Sequence, residues 1–178
     1  MKKVPFLFIA LFILLLIILL TNLKNPTNQL VNFKNYYIKN FSLKINLPET
    51  TSTNEDYFSG SEIIFNCYLQ DKSLNFNGYI QVWNINDLNK FLEVSKNNSE
   101  FDFKLYNKEM ITINSYNGFK VDWTALFANH SYTSGVEYFI TKKNSNMVLR
   151  VSLFVNQKDF PKQLEHTLNT IINSIIWD

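Results

Sequence analysis

Residues 147–155, MVLRVSLFV, alternate without a break: Met147, Leu149, Val151, Leu153 and Val155 fall on one side, Val148, Arg150, Ser152 and Phe154 on the other. A sustained period of two is the pattern of a β-strand with one face on a core. The stretch before it, VEYFIT at 136–141, reads as its antiparallel partner, reversing through residues 142–146.

The same period recurs outward along the chain. In ITINSYNGFKVDWTALF (111–127), Asn117 and Gly118 suit a tight turn with positive φ, flanked by Ile111 and Ile113 on one arm and Phe119, Val121, Trp123 and Phe127 on the other. In SEIIFNCYLQ (61–70), Ile63, Phe65, Cys67 and Leu69 face inward and Asn66, Tyr68 and Gln70 outward. LNFNGYIQVW (74–83) follows after a turn at 71–73, with Leu74, Phe76, Ile80 and Val82 inward and Tyr79, Gln81 and Trp83 outward. FSLKINLP (41–48) repeats the scheme and ends at Pro48, which lacks a ladder donor. Cys67, the single cysteine, reads as a small core residue rather than a nucleophile.

Two stripes break the period. Leu88, Phe91 and Leu92 follow Asn86, a good N-cap, and predict a helix ending near Asn97 and Asn98. Leu164, Leu168, Ile171, Ile172 and Ile175 predict a closing helix capped by Asp159, with Pro161 in its tolerant first turn. The fold class is α+β: a central antiparallel sheet of about six strands with flanking helices, preceded by one N-terminal transmembrane helix.

That last element rests on residues 4–20, an apolar run behind Lys2 and Lys3. As a helix it extends about 26 Å against a hydrocarbon core of about 30 Å, long enough if Lys3 and Lys24 snorkel. A lipoprotein would need a cysteine where Thr21, Asn22 and Leu23 stand. A cleaved signal would need a shorter run and small residues at its end. The chain therefore divides into an anchor at 1–22, a polar tether at 23–35 and one α+β domain at 36–178. The lysine density beside the span places residues 1–3 inside and the domain outside, on the surface of a bacterium if the Asn-rich, Arg-poor composition reflects an AT-rich genome.

Lys2 and Lys3 account for the whole formal charge of +2, so everything after Leu20 balances. No basic patch is present, which excludes nucleic acid as a partner. The expected contacts are the lipid bilayer, through the N-terminal helix, and a protein or cell-envelope component of the outer face.

Three stretches resemble the PsbP/Mog1 family: YYIKNFSLKINLP (36–48), ITINSYNGFKVDW (111–123) and the closing IINSIIW (171–177). In such domains an aromatic precedes an F-S-hydrophobic strand ending in Pro, a strand–Gly turn–strand lies in the middle, and the last helix ends on a Ser-hydrophobic pair. The resemblance implies a central antiparallel sheet flanked by helices, and action by binding partners rather than by catalysis. Named members assist photosystem II or bind a small GTPase, roles that no residue here supports. PETTSTNEDYF (48–58) departs from the family, which has a Trp soon after the Pro.

No residue pattern points to a cofactor, a metal or a reaction. His130 lies in a polar loop and His166 on the wet side of the closing helix, both read as surface histidines. Glu55 and Asp56 are neighbours in a stretch read as a solvated turn. Glycine is too scarce for a phosphate loop. The lead that remains is the outward strand face: Tyr68, Tyr79 and Trp83, with Phe139, Arg150 and Phe154. Aromatics beside an arginine are typical of interface hot spots, although a terminal helix lying over this face would turn them into core. The function expected is a non-catalytic binding or scaffold domain. The alternatives are an enzyme with an unrecognised site and a structural subunit of a membrane complex.

Overall fold

The computed structural model describes residues 31–178 apart from 57, 59, 61, 128 and 129. The anchor and most of the tether lie outside these residues. No helix among the described residues is long and apolar enough to cross a membrane.

Among the described residues ten strands and two α-helices follow in the order β1 (Phe33–Ile38), β2 (Leu43–Pro48), β3 (Ser52–Asp56), β4 (Ile63–Asp71), β5 (Phe76–Asn84), α1 (Leu88–Asn97), β6 (Asp102–Ile113), β7 (Tyr116–Leu126), β8 (Tyr132–Thr141), β9 (Met147–Val155), α2 (Lys162–Asn173) and β10 (Ile176–Trp177), with a short 3-10 turn at Lys39–Phe41. Seven of them make one antiparallel sheet in the order β3-β4-β5-β9-β8-β7-β6, and β1-β2-β10 make a second. The expected α+β architecture is found, with more strands than the alternation revealed.

The additions have physical reasons. Every residue of β3 is exposed, so its pairing with β4 from Ser52↔Gln70 to Asp56↔Asn66 leaves no apolar period in the sequence. Glu55 and Asp56 thus lie on an edge strand, not in a turn. β6 is the opposite edge, and only its end, Ile111 and Ile113, was legible as strand. Phe33, Lys34 and Asn35, read as the end of the tether, pair with Pro48, Leu47 and Asn46.

The β6–β7 turn is displaced from its predicted place. Ile113 pairs with Tyr116, so the reversal is at Asn114, whose φ is 54°, and Ser115. Asn117 and Gly118 lie within β7, and Gly118 does not adopt positive φ. Its role is close approach: a Cβ there would sit 1.9 Å from the carbonyl oxygen of Phe139 on β8.

One face of the large sheet carries the main core. Leu69, Ile80, Leu149, Val151, Leu153 and Ile140 are fully buried there, against α2 and the small sheet. The α2 stripe Leu164, Leu168, Ile171 and Ile172 is buried as its spacing predicts, each side chain stabilising by about 1.5–3 kcal/mol. Its N-cap is Pro161 rather than Asp159, and α1 is capped by Asp87, which accepts from the Lys90 N–H, rather than by Asn86. Cys67 is fully buried in this core, where burial pushes its thiol pKa up.

Lys120 of β7 ties α2 to the sheet edge, its ammonium 3.1 Å from both Asp122 and Glu165. Burial alone would lower its pKa, but the two carboxylates outweigh burial and hold it above the ordinary lysine value. A raised folded pKa stabilises fully below the unfolded pKa of about 10.4 and is lost as pH climbs through the folded one. Because Glu165 is 43% exposed, Lys120→Met should cost only about 1 kcal/mol at neutral pH. Denaturant midpoints should show that difference shrinking above about pH 10.4, and a constant gap would exclude the charge as its source.

Candidate functional site

The other face of the large sheet is covered only in part. α1 lies over one end of it, packing Leu88 and Leu92 on Val121, Phe139 and Val148. The terminal helix α2 is on the opposite face, so it is the middle helix that decides which outward residues are core. Beyond α1 the sheet floors an open hollow of about 1270 Å³.

All six outward residues singled out in the sequence line this one hollow. They differ in depth. Phe139 is buried; Tyr79, Trp83, Arg150 and Phe154 are half-buried; Tyr68 is exposed. Tyr68 and Tyr79 are direct cross-strand partners, edge to face at 5.2 Å, and Tyr79 stacks on Phe154 at 5.5 Å. Trp83 packs on Phe91 of α1 at 5.4 Å.

Arg150 organises the floor. Gln81 and Phe139 flank it directly on β5 and β9's other neighbour β8, because register places them opposite. Its Nε donates to Glu137 Oε2 at 2.8 Å and its Nη1 to Gln81 Oε1 at 3.0 Å. Trp83 Nε1 donates to the same Gln81 oxygen at 3.1 Å, and Gln81 Nε2 donates to Asn66 Oδ1 at 2.7 Å. On the other side Trp123 Nε1 donates to Glu137 Oε1 at 2.8 Å. The guanidinium also lies 5.8 Å from the Tyr79 ring centre and 5.6 Å from that of Phe139, within cation–π range. A five-strand polar ladder, from Asn66 on β4 to Trp123 on β7, is thus charge-balanced by its own Glu137–Arg150 pair.

Sequence reading missed Glu137, Gln81 and Trp123 as members of this site. Glu137 shares its parity with Phe139 on β8, which was the available signal. Gly135 is what lets the Trp123 indole lie across β8, since a Cβ there would be 2.7 Å from the ring. Ile63 also joins the hollow instead of the core, because a bulge between Ile63 and Phe65 reverses its side.

At the far end Phe103, Tyr106 and Trp123 form an edge-on aromatic cluster, with Lys96 of α1 4.8 Å above the Tyr106 ring. Burial, reinforced by the Glu137 carboxylate and opposed by Arg150, raises the Tyr106 pKa, so its hydroxyl keeps its proton. His130 and His166 are both exposed and neither lines the hollow, while Cys67 faces the opposite side of the sheet. The arrangement offers aromatic faces, neutral hydrogen-bonding groups, the Lys96 ammonium and a closed Glu137–Arg150 ion pair.

No protein-family model matches the sequence. No curated protein matches it either. Among solved structures the chain is similar to the solution structure of cyanobacterial PsbP (CyanoP) from Synechocystis sp. PCC 6803, with a TM-score of 0.59, 8% identity, and coverage of 87% of this chain and 98% of that one. At that identity the likeness is one of fold, and the fold expected from the three resembling stretches is the one found: a PsbP-like α+β domain.

Proposed function

We propose that this chain is a membrane-anchored, outward-facing binding or scaffold domain that holds a protein or cell-envelope partner in the hollow beside α1. The observation that carries the reading is the convergence of Tyr68, Tyr79, Trp83, Phe139, Arg150 and Phe154 on one concavity. Concave, aromatic-rich sites with a few fixed polar groups are where ligands and interface anchors bind. The apolar run at 4–20 supplies the anchor, and the PsbP-like fold favours binding over catalysis.

A photo-crosslinking residue at position 83, in living cells, tests the site and the location together. It should capture a discrete partner, and protease added to the same cells should degrade the domain while sparing residues 1–20. Capture from surface loops but not from position 83 would remove the hollow from the reading. Full protection from protease would overturn the outward orientation.

A further inference from the structure

The hollow does not end at its aromatic wall. Tyr68, Tyr79 and Phe154 also border a second trough of about 390 Å³ on the β3 side, so the three rings form a ridge between two concavities on one sheet face. The side chains that register places on that trough's face include Ser52, Asn54, Gln70 and Asn77, all hydroxyl or amide, and none of its lining residues is charged.

The chemistry of both concavities narrows the occupant. Of aliphatic side chains the main hollow has only Ile63, Leu92 and Val121 among the described residues, a poor lining for an acyl chain. A cationic ligand would compete with Arg150, which already lies by the Tyr79 and Phe139 rings. An anionic one would meet Glu137, which holds Arg150 at 2.8 Å, and the one further cation of the hollow among the described residues, Lys96, lies over Tyr106 and does not line the trough. Over the floor itself an extended peptide could not add as a strand, because β5, β9, β8 and β7 are paired on both sides, which leaves strand addition only to the outer edges of β3 and β6. The groups without a hydrogen bond among the described residues are the hydroxyls of Tyr68 and Tyr79, which can both donate and accept, and Nη2 of Arg150, which can only donate.

We infer that the two concavities form one track for a neutral oligosaccharide, whose apolar ring faces lie on Tyr68 and Tyr79 while its hydroxyls bond the amides and hydroxyls on either side. This deepens the reading of the hollow as the binding site and rests on it.

The test uses the full chain in a detergent without a sugar headgroup, titrated with uncharged di- and tetrasaccharides of β-linked N-acetylglucosamine, of cellulose and of starch type, and with a proline-rich peptide. Calorimetry, with the fluorescence of Trp83 and Trp123, follows binding. Saturable binding of at least one sugar series, tighter for the tetrasaccharide and weakened about tenfold by Tyr68→Ala, is expected. Tyr68 is exposed, so its truncation spares the core; Tyr79→Leu, which keeps bulk but removes the ring face, should weaken binding similarly. Binding indifferent to both variants, or binding of the peptide alone, overturns the inference. If no sugar binds at millimolar concentration while position 83 captures a discrete protein, the glycan track is overturned and the binding reading stands. If neither sugar nor protein is captured, both fall.

Discussion

Arg150→Ala should destabilise the domain by about 3 kcal/mol, because it leaves Glu137, buried to 10% side-chain exposure, without its counter-charge. The loss is not the worth of a salt bridge. An isolated carboxylate in the floor of the hollow has given up most of its water and keeps only the Trp123 indole as donor, whereas in the native floor it accepts from both Trp123 and Arg150. Gln81 would lose one of its two donors as well. The same reasoning predicts recovery: Glu137→Leu combined with Arg150→Met, which removes both charges and keeps volume, should restore most of the stability. Urea denaturation of the single and double variants measures both. A loss below about 1 kcal/mol for Arg150→Ala would mean that the pair behaves as a solvated surface bridge.

Gly118→Ala should be at least as damaging, costing about 3–5 kcal/mol or preventing folding. The added methyl would lie 1.9 Å from the carbonyl oxygen of Phe139 and 2.9 Å from its carbon, and both belong to backbone. A flexible side chain could swing away, but this carbonyl belongs to β8, which is laddered to β7 on one side and to β9 on the other. Relief would require β7 and β8 to separate near Gly118↔Ile140, at the edge of the floor beside Phe139. Thermal melting of the variant, with the far-ultraviolet β signal, reads the effect. A melting temperature close to wild type would show that the approach is looser than the structure has it.

Gly118 also marks a limit of sequence reading. Asn-Gly is a strong hairpin signal because both residues tolerate positive φ, yet the reversal is taken by Asn114 and Ser115, and the glycine is used for contact with a strand far along the chain. Local propensity weighs φ; it carries no knowledge of what a third strand brings near. The N-caps show the same limit on a smaller scale, each lying one or two residues beyond its predicted place.

The alternating runs were legible because burial on one face imposes a period that local composition records. Thus Leu43, Ile45 and Leu47, and Leu149 through Val155, fall where their parity requires. β3 and most of β6 were not legible, since an exposed edge strand has no buried face to leave a period. The site divides in the same way. Parity placed Tyr68, Tyr79 and Trp83 on one outward face and Phe139, Arg150 and Phe154 on outward positions of other strands; the pairing of β5 with β9 and of β9 with β8 joined the two groups.

Sequence by itself therefore determined the α+β class and the inward and outward faces of the central strands, and strand pairing in space brought the two groups of outward aromatics onto one surface. Tertiary structure decided whether that surface would be core or an open hollow. Two helices were available to cover it, and neither stripe names its target. α2, with its longer apolar stripe, went to the face where aliphatic side chains could close-pack, leaving the shorter α1 over part of the aromatic face. The uncovered remainder is the hollow. Its polar ladder depends on register between strands up to 69 residues apart, as in Arg150 and Gln81, a relation that only chain pairing in space creates.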